Sequence, residues 1–255
     1  MSTSWVDSHC HLFSLDEPPR VVLDRAAAAG VAWVVVPGID LETSLQARQI
    51  ARADSARVSW AAGLHPHDAA KWPAEGARIE ALAADAAAIG ECGLDFYRNL
   101  ASRSAQLDAF RAQLSLAAQL AKPVIVHCRD AFAEVHQELE AAALGENAIL
   151  HCWTGGPRWT KRFRDLGATF SFAGPITFEG GETVRLGAAE APPERTMIET
   201  DTPYLTPPPN RRDVNEPANV VTIGSALAEV WGIPVADVAQ RTAATATRVL
   251  RGADG

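Results

Sequence analysis

Short apolar runs alternate along this chain with longer runs in which apolar residues recur every three or four positions. The first strand-like run is SWVDSHC at 4–10, and VAWVVVP at 31–37 is the plainest. The latter is a continuous β-branched stretch, suited to a strand covered on both faces. RVSWAAG (57–63), AAIGEC (87–92), PVIVHC (123–128), NAILHC (147–152), ATFSFAG (168–174) and RTMIET (195–200) complete the set. The intervening segments read as helices. SRSAQLDAFRAQLSLAAQLA at 102–121 has helical apolar spacing and a serine at its start, and AFAEVHQELEAAA at 131–143 is a second such run. Further helices are predicted at 218–231 and 235–250, after a Pro-rich stretch, TPYLTPPPNRRDVNEP (202–217), that reads as a long ordered loop.

Strand followed by helix, repeated, implies parallel strands with crossover helices. Eight such units in 255 residues match a (βα)8 TIM-type barrel, occupying 1–255 as a single domain. An open doubly wound sheet is the alternative.

The ionisable residues sharpen this picture. His9 and His11 close the first strand, His65 and His67 follow the third, and Glu91 ends the fourth. His127 ends the fifth, His151 the sixth, and Asp201 follows the eighth. Of the seven histidines, His136 alone falls mid-helix. In a parallel barrel all C-terminal strand ends open on one face, where active sites are built. His9, His11, Glu91, His127, His151 and Asp201 are therefore expected to meet at one mouth. Four imidazoles and two carboxylates exceed what one catalytic zinc needs and suit two divalent ions about 4 Å apart. Glu91 is the candidate to bridge them. The mixed N and O donors suit zinc, manganese, iron or nickel, with magnesium possible. None of the three lysines, Lys71, Lys122 and Lys161, ends a strand, so a carboxylated-lysine bridge is not expected. Cys10, Cys92, Cys128 and Cys152 each follow a candidate ligand directly. By alternation they should point away from the mouth, as packing beneath the helices.

Net charge of −8 argues against a broad basic face for nucleic acid. It leaves room for a small site dominated by bound cations. No apolar run approaches the roughly 20 residues of a membrane span, and the N-terminus has no secretory pattern. A cytoplasmic enzyme without a membrane or an obligatory protein partner is expected.

DSHCHL, GLHPH, GECGLDFYR, QLSLAAQLAKPVIVHCRDAF, HCWTG and ETDTPYLTP, in this order from Asp7 to about Ala218, resemble the TatD-like metal-dependent deoxyribonucleases of the amidohydrolase superfamily. The resemblance implies a (βα)8-like barrel with two divalent ions at its mouth. It also implies hydrolysis of phosphodiesters in DNA, single-stranded or at 3′ ends, with RNA or other phosphoesters as substrates of some members. Carried over by motif, His9, His11 and Asp201 would hold one metal, His127 and His151 the other, and Glu91 would bridge. His65 would lie near the phosphate. The Asn-x-x-Arg-Leu-Phe-like ending of many members is matched only loosely by ATATRVLRG, through Arg248 and Leu250.

On this reading Asp201 takes a proton from the attacking water, and Arg98 and Arg129 are candidates for phosphate contacts. Tyr97 or Trp153 is a candidate to stack a base, with packing as the more ordinary role of each. Glu199 and Asp95 are candidates to orient histidines, and Asp7 reads as structural. The RRDVNEP segment reads as a loop anchored by Arg–carboxylate contacts. The alternatives are a two-metal hydrolase of a small ester, amide or phosphoester, and a non-catalytic binding barrel.

Overall fold

In a computed structural model, which describes residues 4–252, the β-branched run forms a strand at Val31–Pro37 in which every residue but Ala32 is buried. It is one of eight strands among the described residues. They are β1 (Trp5–Asp7), β2 (Val31–Pro37), β3 (Val58–Ala62), β4 (Ala88–Asp95), β5 (Val124–Arg129), β6 (Ala148–Leu150), β7 (Thr169–Phe172) and β8 (Thr196–Ile198). All are parallel, in the order β1 to β8. The ring closes where Ser8 N donates to Ile198 O at 3.0 Å and Cys10 bridges Thr202. Helices follow the strands: α1 (Pro19–Ala28), α2 (Leu41–Ala53), α3 (Trp72–Ala83), α4 (Arg103–Leu120), α5 (Phe132–Ala142), α6 (Pro157–Asp165), α7 (Glu182–Glu190) and α8 (Val220–Trp231), with a further α9 (Val235–Leu250). The expected barrel is observed. Its strands are shorter than the apolar runs, because several runs continue into the loops that form the mouth. Among the described residues no single helix is long and apolar enough to cross a membrane.

Alternation divides the core in two. Val124 and Val126 pack outward against helices, whereas Ile125 points inward. The inner cluster joins Val6, Trp33, Val35, Ile125, Ile149 and Met197 to Ala246, Val249 and Leu250 of α9, which forms the barrel floor. Two residues beyond Ile125, Ile149 and Met197 stand His127, His151 and Glu199. The same faces that fill the interior with apolar side chains thus deliver donors to the mouth.

β4 breaks this rule. Ile89 packs outward, so a regular strand would send Glu91 outward too. The ladder to β5 shifts register between Ile89 and Cys92, pairing Ile89 with Val124 but Cys92 with Val126. One extra residue on β4 makes a bulge that re-aims the chain. Beyond it Cys92 and Leu94 face the helices, while Glu91 and Asp95 face the mouth. Gly93 (φ +134°) is required here, for a Cβ would collide with the His127 carbonyl.

α4 secures two mouth loops. Buried Gln106 accepts from Asp95 N at 2.8 Å, and buried Gln113 accepts from Leu64 N at 2.8 Å. Lys122 works at the opposite face. Its Nζ donates to the carbonyls of Ala83, Ala84 and Ala86 at 2.6–2.7 Å, capping the end of α3. A cation there satisfies orphan carbonyls and opposes the helix dipole. Lys122→Met is expected to cost about 2 kcal/mol in urea unfolding, the scale of a charge-assisted hydrogen bond lost from a partly buried site. An unchanged midpoint would remove this role.

Candidate active site

The chain leaves β1 through Asp7, which accepts from His9 N (3.2 Å), Thr200 N (2.9 Å) and Thr200 Oγ1 (2.6 Å). Burial pushes this carboxyl up to about 8, against those donated hydrogen bonds. Asp7 therefore pins the exit of β1 to that of β8, the structural role expected of it. Asp201 N donates to His9 O at 2.9 Å, fixing both exits in register.

Glu91 lies at the centre, buried, and its two oxygens face different groups. Oε2 is 3.3 Å from His9 Nε2 and 3.6 Å from His11 Nε2. Asp201 Oδ1 stands 3.8 and 3.7 Å from those same nitrogens. Oε1 is 3.0 Å from His151 Nε2, 3.1 Å from His127 Nδ1 and 3.3 Å from His65 Nε2. All six expected residues, and His65 with them, are thus brought together. His9, His11 and Asp201 form one group able to hold a metal, and His65, Glu91 and His127 another; His9 also groups with His151 and Glu199.

The far ring nitrogens decide which way each imidazole is used. His151 Nδ1 is 3.0 Å from Glu199 Oε1 and His127 Nε2 is 3.2 Å from Asp95 Oδ2. Each carboxylate takes that N–H, leaving the opposite lone pair aimed at Glu91. His11 Nδ1 likewise donates to the Pro37 carbonyl at 3.3 Å. His65 is the reverse case. Its Nδ1 accepts from His67 N at 3.1 Å, so in the neutral ring Nε2 carries the proton and is a donor. Burial lowers the His65 pKa to about 4 and the His11 pKa to about 3, and both rings are neutral near pH 7.

The cluster demands positive charge. Burial alone would raise Glu91 and lower His127 and His151. Instead the imidazoles hold Glu91 well below the carboxylate range, while Asp95 and Glu91 raise His127. Glu91 and Glu199 raise His151 well above the ordinary imidazole value. Burial, with Glu91 and Glu199 nearby, lifts Asp201 to about 6 although His151 and His9 pull it down. Lone pairs facing carboxylates at about 3 Å, as at His151, are stable only with a proton or a metal between them. The buried His9 Nδ1 has no hydrogen-bond partner. The donor set fits divalent metal on this chemistry.

Glu199 and Asp95 do more than orient one ring each. Glu199 also accepts from Cys152 N at 2.7 Å and Ser8 Oγ at 3.4 Å. Asp95 accepts from Arg98 N (2.7 Å), Tyr97 N (3.0 Å) and His67 Nε2 (2.8 Å). The His67–Asp95–His127 chain went unseen in the sequence. Its only signal was a second histidine in GLHPH, and an aspartate four residues beyond Glu91.

Other expectations divide. Cys10 and Cys92 are buried, Cys128 and Cys152 half-buried, and burial raises all four thiols. Among the described residues no group of three or more metal donors includes a cysteine. Trp153 is buried among Phe132, Phe163 and Phe170 and packs. Arg98 is exposed on the loop after β4 and Arg129 at the end of β5, where it lies 4.0 Å over the Tyr97 ring. The Arg–carboxylate anchor expected of RRDVNEP is made by its glutamate and not by its arginines. Glu216 pairs with Arg25 at 2.7 Å, whereas Arg211 lies 3.3 Å over Phe178. Asn215 holds the loop, donating to Thr200 O (2.9 Å) and Tyr204 O (2.6 Å). Arg248 is far from the mouth, paired with Glu146 at 3.1 Å.

Residues 6–251 match the family model described as TatD related DNase. The chain belongs to that family. Among its relatives, an Escherichia coli K12 protein named uncharacterized metal-dependent hydrolase YcfH is 34% identical, over 93% of this chain and 92% of that one. The 3′-5′ ssDNA/RNA exonuclease TatD of Klebsiella pneumoniae strain 342 is 41% identical, over 83% of each chain. The crystal structure of the TatD homologue YJJV of E. coli superposes with a TM-score of 0.87 at 24% identity, covering 98% of this chain and 99% of that one. That last likeness concerns the barrel itself.

Proposed function

We propose that this member of the TatD-related family, a metal-dependent hydrolase acting on ester bonds, removes nucleotides from the 3′ ends of single-stranded DNA or RNA through a two-metal site. One observation carries the reading: the two oxygens of Glu91 face two separate donor groups, the arrangement a bridging carboxylate needs. His9, His11 and Asp201 would hold one ion through Glu91 Oε2, and His127 and His151 the other through Oε1. The names of the relatives support nucleic acid as the substrate class.

Divalent ions held there supply positive charge against the phosphate and acidify nearby water. Asp201, at the exit of β8 beside His9 and His11, takes the attacking water's proton. His65 Nε2–H donates a hydrogen bond to a non-bridging phosphate oxygen as charge builds there. Water adds to phosphorus, the ester P–O bond opposite breaks, and the sugar oxygen leaves with its electron pair. Glu199 and Asp95 keep His151 and His127 from rotating.

The test uses purified protein with manganese or magnesium and oligonucleotides labelled at either end. A ladder retaining the 5′ label, abolished by a chelator, is expected. Intact strands, alongside turnover of a chromogenic carboxyl ester, would make it a small-molecule hydrolase.

A further inference from the structure

Two arginine–aromatic pairs stand on the rim that carries the site. In the loop after β4, Tyr97 is 61% exposed, with the Arg129 guanidinium 4.0 Å from its ring centre. In the loops after β7 and β8, exposed Arg211 lies 3.3 Å over Phe178. The first pair spans the exits of β4 and β5 and the second those of β7 and β8, about three places apart in a ring of eight, so the two pairs stand at separate points of the rim that surrounds the Glu91 cluster.

These side chains do not serve the core. Tyr97, Arg98, Asn99 and Leu100 are all exposed, and both tyrosines of the chain, Tyr97 and Tyr204, lie open on mouth loops. A packing tyrosine buries its ring; Tyr97 has one face under a guanidinium and the rest in solvent. Arg129 and Arg211 rest on rings, which leaves their charge available to an anion. The chain as a whole carries −8, so a polyanion is repelled by most of the surface and needs a local foothold. A π-face beside a guanidinium is what an unpaired nucleotide offers partners for: the base stacks and the phosphate is neutralised. A flat guanidinium backed by a ring stacks bases as well.

We propose that the two pairs are clamps for one nucleic-acid strand laid across the mouth. Tyr97 stacks a base on its open face, the Arg211 plane backed by Phe178 stacks another, and the phosphate between them meets the donor cluster. The inference rests on the nuclease reading above and adds how the strand is gripped. Because stacking needs unpaired bases, it also makes the site selective for single strands over duplex.

The test is equilibrium binding of a 5′-fluorescein oligothymidylate, with manganese, to Asp201→Asn protein, which keeps the strand uncut. An abasic strand of the same length is the comparison. Tyr97→Ala and Arg211→Ala are each expected to weaken binding of the base-containing strand roughly tenfold, and Tyr97→Phe to restore it. On the abasic strand the Ala variants and their parent should converge, since no base is left to stack. Unchanged affinity, or equal losses on both strands, would overturn the clamps. A strand bound through Tyr97 that wild-type protein never shortens would overturn the nuclease reading alone.

Discussion

Asp201→Asn is expected to lower kcat by about 10³-fold, within the contribution of a positioned general base, while the protein folds as before. The backbone supports the second half of that statement. Asp201 has φ +56°, a left-handed conformation in which asparagine, like aspartate, is enriched among non-glycine residues. The residue's backbone bond to His9 O is untouched by the change. Charge is no obstacle either. Burial, with Glu91 and Glu199 close by, already disfavours the ionised carboxylate in the metal-free chain, lifting it to about 6. An uncharged amide therefore costs the fold nothing at pH 7, and the metal-free variant should melt no lower than its parent. Asparagine retains an oxygen donor but cannot take a proton from water. Wild-type turnover by the folded variant would end the general-base assignment.

Glu91→Gln is expected to have the larger effect on metal. Five imidazole nitrogens, from His9, His11, His65, His127 and His151, lie within 3.6 Å of its carboxylate. Replacing it by an amide leaves one oxygen where two served and removes the charge that offsets two cations. Breaking a buried charge cluster on one side costs about 4 kcal/mol, or roughly 10³-fold in affinity. Elemental analysis after gel filtration should find divalent metal in the parent and little in the variant. Hydrolysis should fall with it. A variant that retains both its metal and its activity would show that Glu91 is not the bridge.

The strands were legible because each lies in a short, largely apolar run between helical segments. The donors were legible because they fall where those runs stop. Alternation then carried the argument from Ile125 to His127, from Ile149 to His151 and from Met197 to Glu199. It failed at β4, where the register shift between Ile89 and Cys92 turns Glu91 to the mouth. GECGLD contains two glycines that permit such a distortion, but nothing in it states which way the intervening side chain turns. The ring tautomers were equally hidden. That His65 donates while His127 and His151 accept depends on His67 N, Asp95 and Glu199 arriving from elsewhere in space. The rim pairs were hidden for the same reason. Arg211 and Phe178 are 33 residues apart and meet only because two neighbouring loops fold over one another. The composition of RRDVNEP suggested an Arg–carboxylate anchor, but not that its Glu216 would meet Arg25, which Glu17 also holds at 2.7 Å.

Four strand exits carry a hard donor and a thiol side by side: His9 with Cys10, Glu91 with Cys92, His127 with Cys128 and His151 with Cys152. Two complete coordination sets are therefore written into the chain back to back. Turned about their axes by one residue, the same strands would offer a tetrathiolate, a cage for a structural zinc or a soft monovalent copper. The curvature of the barrel chooses between them. It commits the oxygen and nitrogen donors to the mouth and leaves Cys10, Cys92 and Cys128 packed beneath the helices, where burial raises their thiols. Selectivity against soft metals thus resides in the direction a strand faces as much as in which residues it contains.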